Sequence, residues 1–370
     1  MRETRLRSLT KAIIWRLLGI ILLYIISYLL TKSVEEATAI TIAFNGIRVV
    51  MYYAYERLWD RVDWGRVFDI KVSVKHEKEP RYLSKRLRAF IDLMRPFTLI
   101  GAFTAGFCLY FAISHSILKS IISGLVLALL QAGGQVLNQS EPEDVEIDRL
   151  NGKTYRPIVK GIITPEEGKV FGIFLMVLGV TLACFISFNY LIFSILIAFF
   201  AWSYSCYPIR VKKRFFLNNL WQGISRGLLP FLAVLGVNKI SLGIGLPCAM
   251  WTSFAQTTKD FNDVEGDRRF GIKTLPVVLG KERALMVMDL GMRLSFVLLF
   301  SLILLVGVLP KIFIIYMGLL VPSLMIPRLI YKEHKFLENN YAWGLFYVTL
   351  GLFYLLYLVL SYHTEKLGIL

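Results

Sequence analysis

The chain contains the same acidic pattern twice, in EDVEIDRLNGKTYRPIVKG (143–161) and in NDVEGDRRFGIKTLPVVLG (262–280). The two segments are identical at nine of nineteen positions without a gap, at a constant offset of 119 residues. Glu141 stands opposite Asp260 three residues before the first repeated aspartate, so each copy has acids at positions i, i+3 and i+7. This spacing predicts that the three carboxylates of each copy lie on one face of a helix.

Carboxylates gathered in this way repel one another, and the arrangement costs free energy unless cations lie between them. Neither copy contains Cys or His, and oxygen ligands favour Mg²⁺ or Ca²⁺. Because Mg²⁺ takes few carboxylates and completes its shell with water and phosphate oxygens, the two copies predict metal ions shared across a diphosphate. The alternative is a pair of solvated loops that cap helix ends, which suits Glu141, Glu143 and Glu146 better than the repeated aspartates.

The composition excludes an ordinary cytosolic enzyme. Of 370 residues, 56% are apolar and only 18% are charged, and the charges are bunched between long uncharged stretches. About 20 apolar residues are needed to cross a bilayer as a helix. The sequence therefore predicts an all-α polytopic membrane protein with eleven spans, near residues 13–31, 37–54, 96–114, 120–138, 169–187, 190–207, 218–236, 240–258, 285–307, 311–327 and 341–361.

The basic residues predict the orientation of these spans in the cell membrane. Of the 42 Lys and Arg residues, 34 lie in segments on the same side as the N-terminus and five on the other side. The positive-inside rule then places the N-terminus and both acidic loops in the cytoplasm and the C-terminus outside. The same rule explains the pI near 9.6 without nucleic acid. Arg48, Arg226 and Arg293 lie inside or near the ends of spans and should snorkel or face protein.

One long polar stretch, residues 65–90, predicts a cytoplasmic linker. It separates a two-span membrane domain (1–64) from a nine-span domain (91–370).

A diphosphate at the mouth of an apolar bundle implies a lipid tail among the helices. Ionisation is the predicted chemistry, because metal ions and basic residues stabilise the leaving diphosphate and aromatic rings stabilise an allylic cation. The candidate basic residues are Lys153, Arg156, Arg210, Lys212, Lys213 and Lys273, although each one would also serve as a membrane anchor. Tyr204 and Tyr207 lie at a span end, where a ring would face the cation or belong to the interfacial aromatic belt.

At these residues the sequence resembles the UbiA superfamily of intramembrane prenyltransferases, over about residues 90–362. The family motif KDxxDxEGDxxxGxxTLP is matched by KDFNDVEGDRRFGIKTLP (259–276), and YSxxPxxxK by YSCYPIRVK (204–212). The family's first motif, NDxxDxxxD, aligns with Ser140, Glu141, Asp144 and Asp148. The family's Asn is therefore Ser140 here, and Asn138 is a second candidate for that position.

The resemblance implies a nine-helix bundle and Mg²⁺-dependent transfer of a polyprenyl group, geranylgeranyl or similar, from its diphosphate to a hydrophobic acceptor in the membrane. It implies catalytic, metal-binding roles for Asp144, Asp148, Asp263 and Asp267. Substrate-binding roles follow for Asn138, Glu141, Lys153, Arg156, Tyr204, Arg210, Lys212, Asp260 and Lys273. The acceptor stays open among a glyceryl phosphate ether lipid, a phenolic quinone precursor and a tetrapyrrole carboxylate.

Other interpretations are a transporter and a non-catalytic scaffold. A transporter is expected to carry ionisable residues or broken helices near the bilayer midplane, whereas these acids lie in loops. A scaffold would follow if Ser140 disabled the first motif. An alcohol phosphatidyltransferase would need a single, denser acidic motif. Residues 1–64 resemble a small uncharacterised two-helix membrane domain, for which we hypothesise a docking or positioning role.

Overall fold

The computed structural model describes residues 5–59, 80–332 and 341–366, and these residues form helices and connecting turns without a strand. The predicted all-α class is confirmed. The chain divides into two compact units, Met1–Arg88 and Ala89–Leu370. Residues 65–79 of the predicted linker lie outside the described residues, and the rest of that linker is helical. The predicted domain limits therefore stay a prediction.

The first unit contains the predicted two-helix hairpin, formed by α1 (Arg5–Thr31) and α2 (Val34–Trp59). The chain leaves α1 at Lys32, which has a positive φ of 56°. The Oγ of Ser33 then accepts a hydrogen bond from the backbone N–H of Glu36 at 3.3 Å. A side-chain acceptor at this position satisfies a donor that the first turn of a helix leaves open.

The helix α3 (Pro80–Met94) is amphipathic. Its buried residues Ala89 and Leu93 belong to a core cluster of the second unit that also contains Val136, Ile158 and Ile163. Leu87 and Ile91 on the same helix are exposed. The C-terminal part of α3 thus packs into the second unit, beside the segment that follows the first acidic motif.

The second unit is the predicted bundle. Its α-helices, in chain order, are α4 (Pro96–Ser114), α5 (Ile117–Ser140), α6 (Pro142–Leu150), α7 (Pro165–Ala183), α8 (Phe188–Ser205), α9 (Leu217–Gly223), α10 (Leu229–Leu235), α11 (Lys239–Ala255), α12 (Val264–Arg269), α13 (Leu275–Leu279), α14 (Lys281–Leu304), α15 (Leu320–Lys332) and α16 (Tyr341–Lys366). A π-helical turn (Ile224–Leu228) joins α9 to α10, and 3₁₀ segments cover Val211–Lys213, Gln256–Asn262 and Lys311–Leu319.

All eleven predicted spans coincide with helices or with runs of consecutive helices in the described residues. Within this part of the chain, six helices are long and apolar enough to cross a membrane. Among the other predicted spans, α11 has only 17 residues and the span over α9 and α10 is interrupted by the π-helical turn. The count of eleven crossings and their orientation therefore stay predictions.

The orientation can be tested with single cysteines at opposite ends of the bundle. Lys119 lies in the first turn of α5 and Lys160 in the loop after α6, and both are exposed. Because the four native cysteines are buried, a membrane-impermeant maleimide should react with the introduced thiol alone. We expect Lys119→Cys to be labelled in intact cells and Lys160→Cys only after permeabilisation. The unsubstituted chain is the control, and labelling of Lys160→Cys in intact cells would reverse the orientation.

Candidate active site

The two copies of the acidic motif fold alike at the level of single backbone hydrogen bonds. The N–H of Lys153 donates to the carbonyl of Asp148 at 2.8 Å, and the equivalent N–H of Ile272 donates to the carbonyl of Asp267 at 2.8 Å. The turn between each pair contains a glycine with positive φ, 72° at Gly152 and 69° at Gly271. Residues other than glycine are strained at positive φ. The glycine that both copies of the motif share is therefore explained by a backbone turn that both copies form.

The prediction that each set of three acids shares one helix face is wrong. Glu141 lies between α5 and α6 with an extended backbone (ψ 135°), because the following Pro142 disfavours the helical conformation. In the second copy, Asp260 belongs to the 3₁₀ segment, whereas Asp267 lies on α12. Only Asp144 and Asp148 share a regular helix, one turn apart on α6.

The two motif helices, α6 and α12, lie against each other at Ile147 and Gly266, which are equivalent positions of the repeat. A Cβ atom on Gly266 would lie 2.9 Å from Cγ2 of Ile147 and 2.8 Å from Nδ2 of Asn151. Asn151 also joins the loops, since its Oδ1 accepts from the N–H of Gly266 at 3.0 Å and its Nδ2 donates to Oδ1 of Asp263 at 3.4 Å. The sequence analysis missed Asn151, because the repeat has Phe270 at the equivalent position.

Asp144 is held by the loop that follows α8. Its Oδ1 accepts from Nη2 of Arg210 at 3.1 Å and pairs with the ammonium of Lys212. Lys212 also donates to Oδ1 of Asn138 at 3.1 Å. The other oxygen of Asp144, Oδ2, is buried and has no hydrogen-bond partner among the described residues. A buried carboxylate oxygen without a partner is costly, so this atom is a strong candidate to bind a cation.

Lys153 connects the two acidic loops. Its ammonium pairs with Asp263 and lies 3.7 Å from Oδ1 of Asp148. Asp148 is paired on its other oxygen with the guanidinium of Arg156. The predicted repulsion between the loops is therefore offset here by lysine and arginine side chains of the protein.

In the second copy, the charged forms of two carboxyl groups are disfavoured. Burial raises the pKa of Asp260 to about 7, with repulsion from Asp263 adding to the shift and attraction to Lys259 opposing it. Burial, together with repulsion from Asp263 and Asp260, also raises the pKa of Asp267 well above its ordinary value. These shifts mean that one more positive charge at this place would be favourable.

The donor set fits Mg²⁺ bound together with a phosphate. Among the described residues no three acidic, His or Cys side chains are placed to hold a metal by themselves. Mg²⁺ does not need such a cage, because one or two carboxylates, water and substrate phosphate oxygens suffice. Asp144, with its unpartnered oxygen, and the crowded Asp263 and Asp267 would supply those carboxylates.

Lys259 and Tyr204 form a further polar pair at the cavity. The ammonium of Lys259 donates to the Tyr204 hydroxyl at 3.0 Å and lies 5.0 Å from the centre of that ring. Among the described residues, Lys259 forms no ion pair with a carboxylate. Sequence reasoning did not select Lys259 as a site residue, although it opens the second motif KDFND.

One cavity collects most of the predicted site residues. Its wall includes Asn138, Asp144, Asp148, Lys153, Arg156, Tyr204, Lys212, Asp260, Asp263 and Asp267. Further from these residues the wall is formed by small and apolar side chains of α4, α5 and α8 and by aromatic side chains of α16. The cavity therefore has a charged mouth and an apolar, aromatic interior.

Three predicted site residues do not line this cavity. Glu141 is buried and pairs with Lys169 at 3.0 Å. Arg210 lies behind Asp144 and also pairs with Glu143 at 3.0 Å. Lys273 is exposed. These placements give Glu141 and Arg210 supporting positions rather than substrate contacts.

The structure distinguishes Ser140 from Asn138. Ser140 is fully buried, and its Oγ donates to the carbonyl of Val136 at 2.6 Å while lying against Gly168 of α7. Asn138 lines the cavity and accepts hydrogen bonds from Ser205 and Lys212, each at 3.1 Å. Of these two residues, Asn138 is the one that lines the cavity.

The model of the UbiA prenyltransferase family matches residues 98–350. The chain belongs to this family. Residues 9–60 match the model of another family, described as a predicted membrane protein (DUF2061). The predicted resemblance and the assignment as a prenyltransferase are thereby confirmed.

Several similar proteins within the UbiA family are named digeranylgeranylglyceryl phosphate synthase. The one from Pyrococcus abyssi is 32% identical over 211 residues, covering 54% of this chain and 72% of that protein. The one from Saccharolobus solfataricus is 32% identical over 204 residues, covering 52% and 70%. The Archaeoglobus fulgidus UbiA homologue bound to GPP and Mg²⁺ has the same fold, with a TM-score of 0.60, 18% identity and coverage of 75% of this chain and 99% of that one.

The contact between α6 and α12 predicts a strong effect of a single methyl group. We expect Gly266→Ala to reduce prenyl transfer by about 10-fold or more, because the added carbon displaces Asn151 or α12 and misplaces the aspartates. Steady-state turnover of the purified variant measures this. Gly351→Ala is the matched control, since a Cβ there meets no atom within 4 Å. Equal activity of the two variants would show that the close approach is not needed.

Proposed function

We propose that this protein transfers a prenyl group from a prenyl diphosphate to a prenylated glyceryl phosphate lipid, with Mg²⁺, in the cell membrane and with its acidic loops in the cytoplasm. The observation that carries the proposal is the meeting of two aspartate-bearing helices at the charged mouth of an apolar cavity. The names of the similar proteins support the glyceryl phosphate acceptor. The ligands of the Archaeoglobus fulgidus homologue support the prenyl diphosphate and Mg²⁺.

The aspartates would hold the metal and the diphosphate. Asp144 and Asp148 on α6, Asp263 at the N-cap of α12 and Asp267 on α12 all line the mouth of the cavity. When bound, Mg²⁺ neutralises charge on the diphosphate and makes it a better leaving group. Asp260 and Asn138 are close enough to complete the polar wall on either side.

Basic side chains would bind the phosphate oxygens. The mouth of the cavity is lined by Lys153, Arg156 and Lys212, and each of these cations is paired with an aspartate. With a substrate bound, the phosphate oxygens would provide further anionic partners. Lys259 has no paired carboxylate among the described residues and is the most available of these cations. Positive charge placed in advance around the leaving group lowers the barrier because little rearrangement is needed.

The apolar interior would hold the prenyl chain and exclude water. Gly101, Ala105, Leu127 and Leu130 are among the small and apolar residues of its wall. The rings of Tyr204, Trp343, Tyr347 and Tyr354 also line the cavity. Such rings stabilise a cation without reacting as a hydroxide or water would. The C–O bond to the diphosphate breaks and its electron pair leaves with the diphosphate. The acceptor hydroxyl oxygen forms the new bond to the same carbon, and the hydroxyl proton passes to the departing diphosphate.

A transporter and a scaffold fit these observations less well. The carboxylates lie at one end of the bundle, in segments that follow α5 and α11. The first motif also keeps an amide at the cavity through Asn138, so the presence of Ser140 does not remove that group. Both features favour an enzyme with a complete polar mouth.

Removing one negative charge from either motif helix should abolish most of the activity. We expect Asp144→Asn and Asp263→Asn each to reduce turnover by about 10²-fold or more, because each removes charge that binds the metal and diphosphate. The assay follows labelled geranylgeranyl diphosphate and a geranylgeranylglyceryl phosphate acceptor, with and without a chelator. Glu146→Gln is the matched control, since Glu146 is on α6, exposed and paired with Arg149. Wild-type turnover in both Asn variants would contradict these roles.

The acceptor class is tested with three acceptors offered at equal concentration. These are geranylgeranylglyceryl phosphate, a phenolic quinone precursor and a tetrapyrrole carboxylate. We expect the glyceryl phosphate lipid to be prenylated at least about 10-fold faster than the others. Preference for either of the other two would replace the proposed acceptor while leaving the prenyl transfer intact.

A further inference from the structure

Arg226 is a charged residue in the middle of a predicted span, and the mechanism above does not use it. It lies in the π-helical turn between α9 and α10, and its side chain lines the same cavity as the aspartates. Ionisable residues within membrane spans are costly and usually functional. π-helical turns are also frequent at functional sites.

The surrounding helices direct this side chain into the cavity. Gly223 and Gly227 pack closely on the backbone of α11 at Ala249. Gly223 and Gly227 form one stripe of this helical segment. The adjacent stripe consists of residues that are four positions apart, Gln222, Arg226 and Pro230, and all three line the cavity. The two stripes are neighbouring faces of one helical segment, so the contact with α11 fixes which way Arg226 points.

The backbone and side chain of Arg226 are both anchored. Its carbonyl accepts a hydrogen bond from the hydroxyl of Tyr354 on α16. Its Nη1 donates to Oε1 of Gln256 at 2.9 Å, and Gln256 is almost completely buried. Gln256 opens the 3₁₀ segment that also contains Lys259 and Asp260. The guanidinium is therefore held beside the second acidic motif.

Within the part of the chain that the structure describes, no acidic side chain neutralises the guanidinium of Arg226. Among the described residues, its side-chain hydrogen-bond partner is the neutral Gln256, and none of the carboxylates forms an ion pair with it. Lys259 is a charged neighbour of Arg226, and the two positive charges repel each other. A guanidinium has five donors in a planar fork that suits the oxygens of a phosphate or carboxylate. This corner of the cavity thus lacks an anion.

We propose that Arg226, positioned by Gln256 and Tyr354, binds the anionic group of the acceptor. This inference rests on the proposed function and specifies how the acceptor is recognised. In a glyceryl phosphate lipid the attacking hydroxyl and the phosphate belong to one three-carbon unit. A phosphate site must therefore lie close to the reacting carbon but apart from the leaving diphosphate. Arg226 fits this condition, because it lines the same cavity from the segment between α9 and α10 and hydrogen-bonds to Gln256, four residues before Asp260.

Binding measurements test the subsite independently of turnover. The full chain in detergent with Mg²⁺ is titrated with geranylgeranylglyceryl phosphate and with the neutral alcohol geranylgeranylglycerol. We expect the wild type to bind the phosphate lipid about 10-fold or more tightly than the alcohol. Arg226→Gln should reduce this preference to within about twofold and leave the Kd of geranylgeranyl diphosphate unchanged. Arg293→Gln, an exposed arginine of α14 paired with Asp289, is the matched control.

Three outcomes overturn the proposal: no preference in the wild type, an unchanged preference in Arg226→Gln, or a loss of affinity for geranylgeranyl diphosphate equal to that for the acceptor. The last would assign Arg226 to the donor. Arg226→Lys keeps the positive charge but loses the planar guanidinium, so this variant is used for the test if Arg226→Gln does not fold. We expect about threefold or more weaker binding of the phosphate lipid alone, and unchanged binding would count against the subsite.

The same titrations separate this inference from the proposed function. If the wild type prefers the phosphate lipid through Arg226 but never prenylates it, the proposed reaction is wrong and the anion subsite stands. If it prenylates the lipid and Arg226→Gln retains the full phosphate preference, the reaction stands and the subsite is wrong.

Discussion

Two short helices with buried carboxylates lie against each other at one end of the bundle, and the rest of the site depends on that contact. It is possible because position 266 is glycine, so that α12 approaches Ile147 and Asn151 of the first loop. The proximity would be unfavourable for carboxylates alone. Lys153, between Asp148 and Asp263, offsets the repulsion in the protein itself.

The pairing of acids with bases has a chemical consequence. Asp144, Asp148 and Asp263 each have a lysine or arginine partner, while Asp144 keeps one buried oxygen without a partner. A metal–diphosphate complex brings both charges at once, so it can satisfy the acids and the bases together. The site is therefore arranged for a ligand of mixed charge rather than for a bare cation or a bare anion.

The cavity has charged residues at its mouth and mainly apolar and aromatic residues in its interior. Small and aliphatic residues of α4 and α5 suit a hydrocarbon chain, whereas the aromatic residues of α16 face the same space. Arg226 is the exception to this division. It lies in a π-helical turn and lines the cavity, and among the described residues its guanidinium hydrogen-bonds to the neutral Gln256 and forms no ion pair.

The amino-acid sequence by itself determined the membrane class, the positions of the long helices, the repeat and the identity of the repeated aspartates. These follow from local properties, namely apolar length, charge position and identical residues at a fixed spacing. It could not determine the shape of each acidic segment, because Pro142 and the 3₁₀ segment break the regular helix that the i, i+3, i+7 spacing implies.

Only the tertiary structure decided which residues face the cavity. It placed Asn138 on the wall and Ser140 in the packing against α7, it assigned Glu141 to Lys169, and it revealed Asn151 as a link between the loops. It also turned Arg226 inward. The physical reason is that ion pairs and close contacts depend on which distant segments meet, and residues 28 to 115 positions apart in the chain carry no local signal of that meeting.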